Sequence, residues 1–134
     1  IYGRYFKEWV PFAIYEAIEK GCVAHTLYGR PRILPDLVSK DKQAREAAER
    51  ECISLIIQGS AADVMRLALI GVAMIPGGRP LLTVHDEIVC GVDGDRVGEY
   101  MMEMETRMQL GQPFEGVPLI INIKSGKNWK ETHQ

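Results

Sequence analysis

Leu81-Leu82-Thr83-Val84-His85-Asp86-Glu87-Ile88-Val89-Cys90 places two short apolar, β-branched runs on either side of three consecutive ionisable residues, with no Gly or Pro between them. The flanks read as the paired strands of a hairpin, with His-Asp-Glu at the connection. At the tip of a buried hairpin, two neighbouring carboxylates are costly, since each loses hydration and repels the other. A divalent cation offsets that cost, and hard oxygen ligands suit magnesium. The alternative is an ordinary polar turn, where Asp is common.

Working outward, Pro76-Gly77-Gly78-Arg79-Pro80 breaks a long helical pattern just before the hairpin. That pattern begins near Lys40, with Ser39 as the expected N-cap, and runs through Gln58-Gly59-Ser60-Ala61-Ala62-Asp63 to about Ala73. Gly59 marks a bend or a close approach by another backbone. Upstream, residues 5–20 carry a helical period closed by Gly21, with the helix starting at Pro11. A short strand at 22–27, the basic turn Tyr28-Gly29-Arg30-Pro31-Arg32 and an extended return at 33–37 lie between the helices. Downstream, a second long helix is expected over 93–110, a last strand over 118–123 and a terminal anchor over 126–129. The fold class is α+β, with long helices against a small, mostly antiparallel sheet.

With 134 residues, 46% of them hydrophobic and 25% charged, the chain has the composition of one modest globular domain. No apolar run approaches the roughly 18 residues of a membrane span, no signal peptide is legible and no membrane partner is expected; the expected location is cytoplasmic, with a nucleoid or a phage-infected cell as alternatives. Cys22, Cys52 and Cys90 are odd in number and lack metal-ligand spacing, so reduced core thiols are expected. A net charge of −2 confines any nucleic-acid binding to a local basic face. The chain opens on Ile1 and is patterned almost at once, which suggests a piece of something longer.

On the central helix, Arg50, Ser54 and Gln58 are spaced four apart, with Ala47, Ala48, Cys52, Ile53, Leu55 and Ile56 opposite them to dock the helix. Such a stripe is either a solvated face or a row of donors toward a polyanion. Every base pair offers minor-groove acceptors, so donors of this kind read duplex geometry rather than sequence. Arg30 and Arg32, with Lys40 and Lys42 shortly after, are either a solubilising loop or partners for backbone phosphates. Met101, Met102, Met104 and Met108 read as packing residues. No Ser-His-Asp or Cys-His arrangement, P-loop or dinucleotide fingerprint is present, and His25 and His133 look incidental.

Six blocks in order resemble the C-terminal end of the polymerase domain of family A (DNA polymerase I-like) DNA polymerases. They are Thr26-Leu27-Tyr28-Gly29-Arg30-Pro31-Arg32; Pro35-Asp36-Leu37; Arg45-Glu46-Ala47-Ala48-Glu49-Arg50; Gln58-Gly59-Ser60-Ala61-Ala62-Asp63; Val84-His85-Asp86-Glu87; and Val117-Pro118-Leu119, followed by Gly126 and Trp129. The resemblance covers nearly the whole chain and implies that residues 1–134 are the C-terminal portion of a palm domain, incomplete because the first palm motif and the fingers are absent. It implies a DNA-templated DNA polymerase that transfers a nucleotide to a primer 3′-hydroxyl with two magnesium ions.

By the same resemblance, Asp86 is one of two metal-holding carboxylates, His85 lies by the primer terminus, and Glu87 supports the metal site. Gln58 and Arg50 face the duplex, and Arg30 and Arg32 lie in a loop that approaches the nucleic-acid backbone. Ser54 stands where the family often has Asn, which shortens the reach of that donor. The segment between Tyr5 and Thr26 is shorter than in typical members. The second metal-binding aspartate and the nucleotide-gripping lysine and tyrosine belong to the missing N-terminal part, so the chain alone is expected to add no nucleotide. Primer–template DNA, deoxynucleoside triphosphates and that missing part are the implied partners. Two other readings remain: an inert or split module that clamps duplex without sequence preference, and a metal-dependent phosphodiesterase using Asp86 and Glu87.

Overall fold

A computed structural model describes residues 2–109, 116 and 118–132. The chain divides into two compact units, Ile1–Asp63 and Val64–Gln134.

In the first unit, a helical turn α1 (Tyr2–Arg4) passes through a π-helical turn (Tyr5–Trp9) into α2 (Val10–Glu19). Pro11 sits in the first turn of α2, where a missing N–H costs little. Gly21 ends the helix with φ +77, and its N–H donates to the Ile18 carbonyl at 3.0 Å. The chain then forms β1 (Val23–His25), turns at Gly29 (φ +80), and returns as β2 (Pro31–Ile33), pairing antiparallel with Val23 opposite Ile33 and His25 opposite Pro31. A 3-10 turn over Pro35–Val38 drives Leu37 into the core.

Next come α3 (Lys42–Ser54), a second π turn (Leu55–Gly59) and α4 (Ser60–Ala73). Asp41, not Ser39, caps α3, its carboxylate accepting from the Gln43 N–H at 2.9 Å. Ser39 is used earlier: its N–H closes the 3-10 turn onto Asp36 and its hydroxyl accepts from the Asp41 N–H. The core of this unit is Ala17, Ala24, Leu34, Leu37, Ala48 and Cys52, with Ile14, Ile18, Leu55 and Ile56 packed against it. The alanines let helix and strand backbones approach closely, and the two leucines fill the space left.

The second unit is built on the hairpin of β3 (Gly78–Val84) and β4 (Glu87–Val92). Its register runs from Gly78 opposite Val92 to Val84 opposite Glu87, with a bulge between Pro80 and Leu82. Pro80 offers no N–H to the ladder, which is tolerated beside a bulge. α5 (Val97–Gln109) lays Tyr100 and Met104 on Val72 and Ile75, with Ile88, Cys90, Val92, Met108 and Ile123 around them. Met102 is 69% exposed, so the methionine run packs on one side of the helix only. A short α6 (Trp129–Thr132) follows, with Trp129 partly exposed.

Two further expectations change. Residues 118–126 have no regular secondary structure, so the last strand is absent there; a strand needs a ladder partner for its backbone groups, and none of the described residues supplies one. Lys42–Ala73 is one helix of 32 residues with a window of mean hydropathy 1.5, long and apolar enough to cross a membrane by length and composition. Helices that pack within a protein pass the same test, and this one carries a carboxylate, Asp63, held by Thr26 and Arg30. Pro113 and His133 lie outside the described residues.

All three cysteines are free, Cys52 fully buried and the other two half-buried. Tyr100 is 3% exposed, and its hydroxyl has no hydrogen bond of good geometry. Burial chiefly, with the Cys90 thiol beside it, pushes its ionisation up to about 12. An unfolded tyrosine ionises near 10, so the folded state holds the proton more tightly and stability falls as pH rises from about 10 toward 12. Burial raises the Cys52 and Cys90 thiols in the same sense. Urea denaturation at pH 8, 10 and 11 should show this loss, and Tyr100→Phe should remove part of it. An equal loss in the variant would assign the alkaline limb elsewhere.

Candidate functional site

The site residues expected from the sequence fall on both units: His85, Asp86 and Glu87 on the second, and Arg30, Arg32, Arg50, Ser54 and Gln58 on the first.

Val84 opposite Glu87 leaves His85-Asp86 as a two-residue turn. His85 has φ +54, a left-handed value at the first central position, which is where a type II′ turn ordinarily places glycine. A non-glycine residue held there is strained, a state that clusters at functional sites. His85, Asp86 and Glu87 are all exposed, which corrects the buried tip expected from the sequence. α5 packs on Ile88, Cys90 and Val92, and the turn lies beyond that contact. The carboxylates therefore keep their hydration, and desolvation supplies no argument for a cation. The exposed Asp86 carboxylate suits magnesium as one hard ligand. Among the described residues, however, no three His, Cys, Asp or Glu side chains come together, so these residues alone do not close a metal site.

In the first unit, Arg50 and Gln58 are exposed and Ser54 is half-buried. The π turn intervenes between Ser54 and Gln58. Four α-helical residues make slightly more than one turn. The wider π turn takes up that excess and keeps Gln58 closer to the line of Ser54. Ser54 lines two open clefts: one with Arg32, Glu51, Leu55, Gln58 and Gly59, the other with Arg50, Glu46, Glu49, Tyr5 and Phe6. Along the second cleft the Tyr5 and Trp9 rings stack at 5.2 Å between centroids.

The arginines differ sharply in what they already hold. Arg32 is paired with Glu51 in the same cleft as Gln58. Arg30 is turned inward: Nε donates to Asp63 Oδ1 at 3.0 Å and Nη2 to the Gly59 carbonyl at 3.0 Å. Lys42 reaches Glu46 at 3.7 Å, and Arg45 reaches Glu49 at 3.9 Å. Arg50 has no ion pair among the described residues. Surface pairs of the Arg32–Glu51 kind contribute under about 1 kcal/mol, so Glu51 holds Arg32 only weakly.

Sequence reasoning gave no role to Glu51, nor to Asp63, Thr26 and Ser60, which it quoted only as members of motif blocks. Asp63 is 8% exposed, and a buried acid needs partners. Thr26 Oγ1 donates to its Oδ2 at 2.7 Å, and Arg30 takes the other oxygen. The signal was there to use: a lone acid in an otherwise apolar stretch of helix. Burial and then the Asp63 charge raise the ionisation of the nearby Tyr28 phenol.

The family model of DNA polymerase family A matches residues 4–131. The chain is 37% identical over 142 residues to the thermostable DNA polymerase I of Thermus filiformis, covering 98% of this chain and 17% of that protein. It is 37% identical to the DNA polymerase I of Pseudomonas aeruginosa, covering 97% and 15% respectively. Among solved structures, it resembles the polymerase domain of Pol1 from M. smegmatis, in complex with DNA primer–template and dNTP. The TM-score is 0.85 and the identity 34%, over 96% of this chain and 23% of that one. The chain thus spans about a sixth of the length of these curated relatives. With that family model matching residues 4–131, almost from end to end, the chain belongs to DNA polymerase family A.

Proposed function

We propose that residues 1–134 are the C-terminal palm portion of a DNA-templated DNA polymerase, gripping primer–template duplex and contributing one carboxylate to nucleotide addition. The observation that carries this reading is the contrast around α3: Arg32 of β2 and Arg45 of α3 are paired, while Arg50 is exposed and has no ion pair among the described residues, on the same stripe as Ser54 and Gln58. Arg50 supplies charge for a backbone phosphate, and the Gln58 amide supplies a donor that any base pair accepts in the minor groove. Ser54 adds a shorter hydroxyl donor between them.

At the hairpin tip, Asp86 presents carboxylate oxygens and His85 a ring held by the turn, while Glu87 begins β4 beside them. We assign Asp86 as a magnesium ligand, His85 as a neighbour of the primer terminus and Glu87 as support. When bound, the ions stabilise charge on the transferring phosphoryl group. The donors among the described residues fall short of a complete site, so the second carboxylate comes from outside them. That shortfall also favours a narrower reading, a duplex-binding module without chemistry of its own.

Duplex binding by the 134-residue chain, followed against salt, tests the shared part. Expected is sequence-independent affinity, with log K falling about 2 to 3 units per tenfold rise in salt for two or three phosphate contacts. Arg50→Ala should lower that slope by about one, and Asp86→Ala should leave it unchanged. No primer extension is expected from the chain alone. Extension by the chain alone, or affinity that ignores salt, would sink this reading.

A further inference from the structure

One loop of the first unit holds the π turn of the long helix at several points. The Leu27 N–H donates to Ser60 Oγ at 2.9 Å, and that hydroxyl donates in turn to the Ile56 carbonyl inside the π turn. Arg30 Nη2 donates to the carbonyl of Gly59, the turn's last residue. Arg30 Nε and Thr26 Oγ1 share the two oxygens of Asp63, and Thr26 Oγ1 also accepts from the Arg30 N–H at 3.2 Å. Gln58 lies between the two anchored carbonyls. A side chain at Gly59 would push on this loop, since its Cβ would stand 2.9 Å from Thr26 Cγ2 and 3.3 Å from Arg30 Nη2.

From this we infer that Arg30 is a positioning residue for Gln58 rather than a ligand of the nucleic-acid backbone. It holds the π turn open, and the π turn sets the angle of the Gln58 side chain to Arg50. A π turn is an insertion of one residue into an α-helix, and it persists only where surrounding contacts support it. Relaxing the insertion rotates one side of the helix against the other by about 100°. Arg50 and Gln58 would then no longer lie along one line. The requirement is for arginine specifically. Its planar fork serves a carboxylate and a carbonyl together from fixed directions, which a lysine ammonium on a flexible stem does not reproduce. Asp63 gains from the arrangement as well, since a buried carboxylate needs donors at both of its oxygens.

The inference rests on the proposal that Gln58 touches duplex. Its test therefore has one arm that uses DNA and one that does not. In the first, Arg30→Lys, Gln58→Ala and the double variant of the 134-residue chain are compared for duplex affinity across salt concentrations. Arg30→Lys should weaken binding about fivefold, the scale of a lost hydrogen bond, with an unchanged salt slope. It should add nothing in the Gln58→Ala background. An Arg30→Lys chain that binds like the parent would overturn the inference, as would full additivity. In the second arm, amide hydrogen exchange is followed in the free chain. Arg30→Lys should speed exchange over residues 55–60 at least tenfold, about the effect of losing one charge-assisted hydrogen bond, while α2 is unaffected. Unchanged exchange there would also overturn it. If the parent chain does not bind duplex at all, the polymerase reading fails, and the exchange arm alone decides the clamp.

Discussion

Asp86→Ala is expected to lower primer extension by about a thousandfold or more in an enzyme reassembled from this chain and a separately made N-terminal portion of a family A polymerase. Removing a metal-holding carboxylate takes away several kcal/mol of charge stabilisation in the transition state, and about 4 kcal/mol corresponds to that factor. Duplex affinity should stay within about twofold, because the groups assigned to the duplex, Arg50 and Gln58, lie on the other unit from Asp86. Glu87→Gln should cost less, as a supporting group does. Single-turnover extension at saturating nucleotide separates the two. An Asp86→Ala enzyme within tenfold of the parent would remove Asp86 from the chemistry and favour the duplex-binding module.

Gly78→Ala should be the most damaging small substitution in the second unit. A Cβ at Gly78 would stand 2.3 Å from Tyr100 Cε2 and 2.5 Å from Cζ. The ring cannot move aside, because Tyr100 is packed among Val72, Ile75 and Met104. Overpacking of this severity costs about 3 kcal/mol. For a unit of this size, that lowers the melting temperature by roughly 10 °C or more. Gly78 opens β3, so the strain falls on the base of the hairpin that carries His85 and Asp86. Thermal unfolding of Gly78→Ala and of Gly78→Ala combined with Tyr100→Leu reads it directly. The double variant should recover part of the loss, and a single variant that melts like the parent would show the ring yielding.

Much of this architecture was legible from local pattern. The short apolar, β-branched runs on either side of His85-Asp86-Glu87 marked the hairpin, and the observed pairing of Val84 with Glu87 closes it at His85-Asp86. Ala48, Cys52, Leu55 and Ile56 were read as the docking side of the central helix and do contribute to its core. Gly59 was read as a bend or a close approach by another backbone; the approaching atoms are instead the side chains of Thr26, Leu55 and Arg30. The cap of α3 was misplaced by two residues because Ser39 and Asp41 are both competent caps. The choice between them depends on where the preceding 3-10 turn ends. Residues 118–123 read as a strand on composition alone, yet a strand exists only where another backbone pairs with it.

The sequence by itself determined the family, the order of the long helices and the central hairpin, the residues at the hairpin tip and the stripe of Arg50, Ser54 and Gln58. Each of these is written in short-range periodicity or in contiguous motif residues. Only the tertiary structure decided which charges are available for a ligand. Arg30 and Arg32 are alike in the sequence as members of one basic turn, but Arg30 binds Asp63, 33 residues away, and Arg32 pairs with Glu51. It also set the tip of the hairpin in solvent and opened the π turn beneath Gln58. These outcomes depend on contacts between segments far apart in the chain, and no window of local sequence contains both partners.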